Sequence, residues 1–192
     1  MFNLRSATPE AWLKVVFGDF NSFLLDHAAC ERKASATGMS FVVKYPDRTE
    51  LLEPMIEFAK EELEHFHIVF KLLTQRGLRL LPDYKDAYVN GLLSQLRPGT
   101  EALFLDRLLV AGVVEARGCE RLKLIADNLE GELAPLRPIY EDLARAESRH
   151  HALFFRLARR FFDPKVVQER ADFLLDFEAD WIGRLPHTPH VH

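Results

Sequence analysis

Cysteine is nearly absent from this chain. Cys30 and Cys119 are its only two; they form no Cys-x-x-Cys pair, which argues against both a disulfide framework and a cysteine-held metal cluster. Long apolar runs are missing as well, none approaching the roughly 20 residues that a membrane span requires. The opening Met1-Phe2-Asn3-Leu4-Arg5 lacks the apolar centre of a secretory signal, so the chain reads as cytoplasmic with no membrane partner. Excess positive charge is lacking too. A net charge of −4 and a pI near 6.1 exclude a surface coated in positive charge for non-specific nucleic-acid binding, while leaving room for a local basic patch. No segment carries the period-two alternation of a strand.

What is present is an ordinary globular composition, 48% apolar and 28% charged, over 192 residues. That length suits a single domain, expected over residues 1–186, with His187–His192 as a disordered His-rich tail. Thr8-Pro9-Glu10 is a helix start, and apolar residues recur at helical spacing from Trp12 to Ala34, which predicts a first helix over Pro9–Thr37 with Gly38 as its stop. Tyr45-Pro46-Asp47 breaks the chain. Asp47 and Glu50 then resemble a capping box for a second helix, which runs to Arg76 and is closed by Gly77, with Pro54 near its start. Residues 77–100 form a long connection with a short helical pattern, Asp83–Leu96, between Pro82 and Pro98. A third helix follows Thr100 and breaks at Asn128–Pro138. A fourth runs to about Phe162, and Asp163-Pro164 opens a fifth that ends before Pro186. Short turn, long crossover, short turn is the connectivity of a ferritin-like four-helix bundle, here all-α with a C-terminal helix added.

The densest chemistry lies at Glu61-Glu62-Leu63-Glu64-His65-Phe66-His67. Both Glu62/His65 and Glu64/His67 have the i,i+3 spacing that puts two side chains on one helical face. The neighbours distinguish them. Glu62 and His65 share a face with Met55, Phe58, Ala59, Val69 and Leu72, whereas Glu64 and His67 share one with Glu53, Glu57 and Lys60. The fourth helix repeats the device with Glu147 and His150 beside Tyr140, Leu143, Phe154 and Leu157; His151, at i+4 from Glu147, is an alternative. The first and third helices each carry one Glu on an apolar stripe, Glu31 and Glu115, the latter preferred over Glu120, whose face is charged. Glu31 precedes Glu62 by 31 residues and Glu115 precedes Glu147 by 32. Four carboxylates in an apolar bundle need compensating charge, because burying even one unpaired charge costs several kcal/mol. Two metal cations supply it, and a Glu4His2 set leaves open positions on two irons for oxygen chemistry. No catalytic residue beyond these ligands stands out.

These residues carry a family resemblance. Asp26-His27-Ala28-Ala29-Cys30-Glu31-Arg32-Lys33-Ala34, the run from Tyr45-Pro46-Asp47 into Glu61-Glu62-Leu63-Glu64-His65-Phe66, and Glu115-Ala116-Arg117-Gly118-Cys119-Glu120-Arg121 are similar to the tRNA 2-methylthio-isopentenyladenosine hydroxylases of the MiaE type, over most of the chain. The resemblance implies an O2-dependent di-iron monooxygenase that hydroxylates the isopentenyl group of a modified adenosine next to the anticodon of tRNA. It implies that Glu62 and Glu147 bridge two iron ions, with Glu31 and His65 completing one and Glu115 and His150 the other. The chain carries no flavin, haem or Fe–S motif, so electrons must come from a separate reductase or ferredoxin. The rival reading is a ferritin-like iron-binding ferroxidase with no organic substrate.

Three further features accompany the ligand set. Arg145, Arg149, Arg156 and Arg160, with Arg159 beside them, form a basic stripe that is either a solvated face or a seat for the anticodon arm. His27, one turn before Glu31, is either a hydrogen-bonded core histidine or a partner for a metal ligand. Cys30 and Cys119 fit as small packing residues.

Overall fold

The computed structural model describes residues 3–82 and 84–192. Met1 and Phe2, used in reading the N-terminus, and Asp83, the first residue of the expected crossover helix, lie outside the described residues. Among those described there are seven α-helices and no strand. None of the helices is long and apolar enough to cross a membrane. The chain divides into two compact units, one comprising Lys14–Tyr84 with Thr188–Val191, the other Lys85–His187 with the residues up to Leu13 and with His192.

Helix α1, Glu10–Gly18, and helix α2, Phe20–Lys44, replace the single first helix expected over Pro9–Thr37. The break falls at Asp19, whose carboxylate accepts a hydrogen bond from the Ser22 amide at 3.0 Å and caps the new helix. Gly38 does not stop α2, because it serves packing. A Cβ there would lie 2.8 Å from Phe58 Cδ1 and 3.0 Å from the Met55 carbonyl oxygen, so only glycine lets the next helix approach this closely. That next helix is α3, Thr49–Gln75. Arg48 stands at its cap position without a side-chain capping bond, in place of the Asp47 capping box. Pro54 lies inside α3, where it removes one donor from the second turn without ending the helix. At the far end Gly77 takes φ +68° and the Leu78 amide reaches back to the Leu73 carbonyl at 3.0 Å, the left-handed helix stop that the sequence signals. Helices α2 and α3 form one hairpin with the Tyr45 turn between them.

In the other unit, Asp86 caps helix α4, Ala87–Leu93, by accepting from the amides of Tyr88 and Val89 at 2.8 and 3.2 Å. Helix α5, Thr100–Asn128, and helix α6, Arg137–Phe161, make the second hairpin, joined by a 3-10 turn at Gly131–Leu136. They pack tightly at Gly112, where a Cβ would sit 2.9 Å from the Phe155 ring. Helix α7, Pro164–Ile182, is capped by Asp163 and packs on α5. Asp106 of α5, fully buried, is clamped by Arg97 and Arg170, each through two side-chain bonds of 2.7–3.0 Å. Burial works against its charge, but the two guanidiniums outweigh it and hold the carboxyl below its usual range.

The tail is held by contacts, not left free as its composition suggests. Val191 is buried, and its amide donates to Asp26 at 2.5 Å. Tyr84 donates its hydroxyl to the same carboxylate, and the His190 ring lies 5.6 Å from the Tyr84 ring. In the other unit His192 stacks on Tyr88 with ring centroids 5.3 Å apart. A buried acceptor and aromatic faces supply what the tail's own composition does not.

Candidate metal centre

On α3 the helical register puts Glu62 at 0% and His65 at 7% exposure, while Glu64 and His67 are exposed. Glu31, on α2, is also buried, and its Oε2 lies 3.7 Å from His65 Nδ1; Glu62 Oε2 lies 3.6 Å from the same nitrogen. Ligand atoms from Glu31, Glu62 and His65 therefore lie within 4.8 Å of one another. The hairpin between α5 and α6 builds the same triad independently. Glu115, Glu147 and His150 are all buried, with His150 Nδ1 3.9 Å from Glu115 Oε2 and 3.5 Å from Glu147 Oε2. Each triad has one glutamate on the earlier helix and a Glu-x-x-His pair on the later one. The i,i+3 spacing stacks Glu over His on the inward face, and the hairpin brings the third carboxylate to them.

The competing residues go elsewhere. The His151 ring engages the Gly112 carbonyl at 2.8 Å. Glu120 accepts from the Thr8 amide and hydroxyl and from Arg117, so it serves the packing of the N-terminal segment. Tyr140 is fully buried in the core. Burial pushes the Cys119 thiol up, and its Sγ donates to the Ala144 carbonyl at 3.3 Å, as a packing residue would.

Electrostatics inside the α2–α3 triad show what it demands. Burial works against a charged His65, yet the Glu31 and Glu62 carboxylates outweigh it and push the imidazole up to about 10. Burial likewise opposes charge on Glu31. Hydrogen bonds from His27 and His65 overcome that and hold its carboxyl well below the usual range. The triad thus balances its carboxylates with a proton on His65, a role that a divalent cation fills more fully. The donors fit iron. Oxygen and imidazole nitrogen with no sulfur suit hard and borderline ions, and two carboxylates with one imidazole leave coordination positions open.

Sequence reasoning overlooked one buried constellation. Glu178, on α7, and Arg117, on α5, are both fully buried and joined at 2.8 Å, and the Tyr88 hydroxyl donates to the same glutamate at 3.0 Å. The position of Glu178 on the Ala171–Leu174–Leu175 face was the available signal.

An all-helical chain with two such hairpins has a close counterpart among solved structures. A protein from Synechococcus, described as protein 43 with aldehyde deformylating oxygenase activity, matches with a TM-score of 0.92 and 32% identity, over 98% of this chain and 94% of that one. The fold is ferritin-like. Residues 2–192 also match the family described as tRNA-(MS[2]IO[6]A)-hydroxylase (MiaE), and the chain belongs to that family. It is 34% identical over 179 residues to the tRNA 2-(methylsulfanyl)-N(6)-isopentenyladenosine(37) hydroxylase of Pseudomonas putida, covering 93% of this chain and 86% of that protein. It is 25% identical over 228 aligned positions to the protein of the same name from Salmonella typhimurium, covering 93% and 83%.

Proposed function

We propose that this protein is a cytoplasmic, oxygen-dependent di-iron monooxygenase that hydroxylates the isopentenyl group of 2-methylthio-isopentenyladenosine beside the tRNA anticodon. One observation carries the reading: a chain in this family over nearly its whole length buries two Glu/Glu/His triads of identical pattern. In this reading Glu31, Glu62 and His65 would hold one iron and Glu115, Glu147 and His150 the other. The iron pair supplies the activation of O2 and the oxidation of an unactivated C–H bond, drawing electrons from a separate reductase or ferredoxin. The chain's residues do the rest. Met55, Phe58, Ala59 and Val69 on α3, and Leu143, Phe154 and Leu157 on α6, are buried beside the ligands. They keep water from the reacting centre and present an apolar surface to an isopentenyl group.

The test is nucleoside mass spectrometry of tRNA from cells with and without the gene. Loss of the hydroxylated nucleoside and accumulation of its unhydroxylated precursor are expected; persistence of the hydroxylated form in the deletion sinks the reading. The likeness to the Synechococcus oxygenase favours one second reading, an aldehyde substrate. Incubating the iron-loaded protein and a reductase with a fatty aldehyde, in parallel with hypomodified tRNA, decides between them.

A tRNA substrate also requires a phosphate-facing surface. Arg145, Arg149, Arg156, Arg159 and Arg160 are exposed along α6, and between Glu147 and Asp163 that helix carries no acidic residue. Arg145 is paired with Asp142 at 3.0 Å. Reversing Arg156 and Arg160 to Glu is expected to weaken tRNA binding about tenfold or more. It should also reduce the slope of log affinity against log salt by roughly two, because each phosphate contact contributes nearly one to that slope. An unchanged slope in filter-binding titrations removes this stripe from the interface.

A further inference from the structure

The two hairpins share a second device, one turn away from the ligands. On α2, four residues after Glu31, the Ser35 hydroxyl donates to the Ala59 carbonyl of α3 at 2.8 Å. Ala59 lies three residues before Glu62. On α6, four residues after Glu147, His151 donates from Nδ1 to the Gly112 carbonyl of α5 at 2.8 Å. Gly112 lies three residues before Glu115. The carbonyl can only accept, so His151 carries a proton on Nδ1. The offsets are the same in both hairpins, with the donor on the earlier helix in one and on the later helix in the other. A serine within a helix commonly returns its hydroxyl to a carbonyl one turn back, but Ser35 crosses to the neighbouring helix instead. A helical carbonyl keeps a second lone pair after accepting its own amide, so the crossing costs the acceptor helix no backbone bond. Both crossings stand where a missing side chain lets the helices close up. A Cβ at Gly38 would lie 3.0 Å from that of Ala59, and one at Gly112 would lie 2.9 Å from the Phe155 ring, on which the His151 ring rests edge-on at 4.9 Å.

We propose that Ser35 and His151 are positioning residues, each locking the sliding register of its hairpin one turn from a metal triad. The proposal rests on the di-iron reading above. In each triad a carboxylate from one helix must meet a Glu-x-x-His pair from the other, so the register sets the distance between them. A slide by a single residue is about 1.5 Å along the axis, large against the roughly 0.2 Å tolerance of a metal–ligand bond. Apolar packing is non-directional and resists such a slide weakly, whereas a hydrogen bond has a fixed length and direction. With the bond in place the metal-free chain already holds its ligands level. Without it, binding has to restore the register first. The net contribution of one hydrogen bond corresponds to about a 2- to 13-fold change in an equilibrium, which bounds the expected loss of affinity.

The test uses the full chain, freed of metal and titrated anaerobically with ferrous iron, with stepwise affinities read by chelator competition. Ser35→Ala removes one donor, and His151→Phe removes the other while keeping a ring against Phe155. Each is expected to weaken one binding step by about 3- to 10-fold and leave the other within about twofold. The double variant should weaken both steps. Ser35→Thr and His151→Asn, which keep a donor at the same place, should restore wild-type affinity. Loaded with 57Fe, the two donor-less single variants should show broader Mössbauer lines than wild type, because an unlocked register leaves a spread of coordination geometries. A bond that serves stability alone gives another pattern: melting falls equally with and without iron, while affinities and line widths stay at wild type. That pattern in either variant overturns the proposal and leaves the di-iron site standing, and a double variant weakened in one step only also overturns it. Where Ser35→Ala or His151→Phe does not fold, the conservative variants decide, and a loss of affinity in Ser35→Thr or His151→Asn overturns the proposal. A wild-type chain that takes up no second equivalent fails the di-iron reading itself and the proposal with it.

Discussion

Replacing Glu62 with glutamine should abolish tRNA hydroxylation while leaving the helices intact. Glu62 is wholly buried on α3, with Oε2 3.6 Å from His65. Glutamine preserves its shape and removes its charge. A ligand contribution of several kcal/mol corresponds to a rate loss on the order of 10³-fold. The metal-free variant should melt no lower than metal-free wild type, since a neutral amide is cheaper to bury than a carboxylate. The difference emerges on loading. Iron held at a hundred times its dissociation constant stabilises the folded chain by about 2.7 kcal/mol. For a chain of this size that is a rise of roughly 5–10 °C. Wild type should show this rise and lose it to a chelator, whereas E62Q should show little of it. Full product formation by E62Q, or a normal melting shift with iron, removes Glu62 from the site.

The second large effect concerns stability, and it comes from the pair that the sequence concealed. Arg117 donates to Glu178 from Nε at 2.9 Å and from Nη2 at 3.0 Å, and both side chains have 0% exposure. The same guanidinium reaches the Ser6 carbonyl, the Thr8 hydroxyl and Glu120, tying the N-terminal segment and α7 to α5. Burial works against its charge, but Glu178 and its other partners outweigh it and raise the guanidinium above its ordinary value. Arg121, one turn on with its guanidinium carbon 4.7 Å from the centre of the Trp12 ring, is lowered to about 10 by burial and by the neighbouring Arg117. Truncating Glu178 to Ala leaves a buried cation short of its main counter-charge, at a cost of about 3–5 kcal/mol. That should lower the melting temperature by roughly 6–20 °C, followed by circular dichroism. Replacing both partners with apolar residues, R117M with E178L, should recover much of the loss, because the penalty is for the unpaired charge. A drop of under a degree for E178A would show that Glu120 alone suffices.

Local regularities carried most of the reading. The 3.6-residue period separated Glu62 and His65 from Glu64 and His67 because burial on a helix follows from spacing and from the neighbours on the same face. Pairing of Glu31 with Glu62, and of Glu115 with Glu147, was legible at matched spacing because a short turn forces two consecutive helices to lie side by side. Helix ends marked by a left-handed glycine or an aspartate cap, as at Gly77 and Asp163, were equally local.

Packing settled the rest. Gly38 has the composition of a helix stop, yet it lies within α2 because Phe58 and Ala59 of α3 need the space of its missing side chain. The break at Asp19 depends on a cap that competes with continuing the helix. Val191 is anchored by an acceptor 165 residues away, and the Arg117–Glu178 pair spans 61 residues, so neither follows from any local pattern. Which histidine faces a ligand follows from helical spacing. That the His27 ring engages Glu31 is decided only in the folded chain, because a hydrogen bond depends on direction and distance, which spacing alone does not supply.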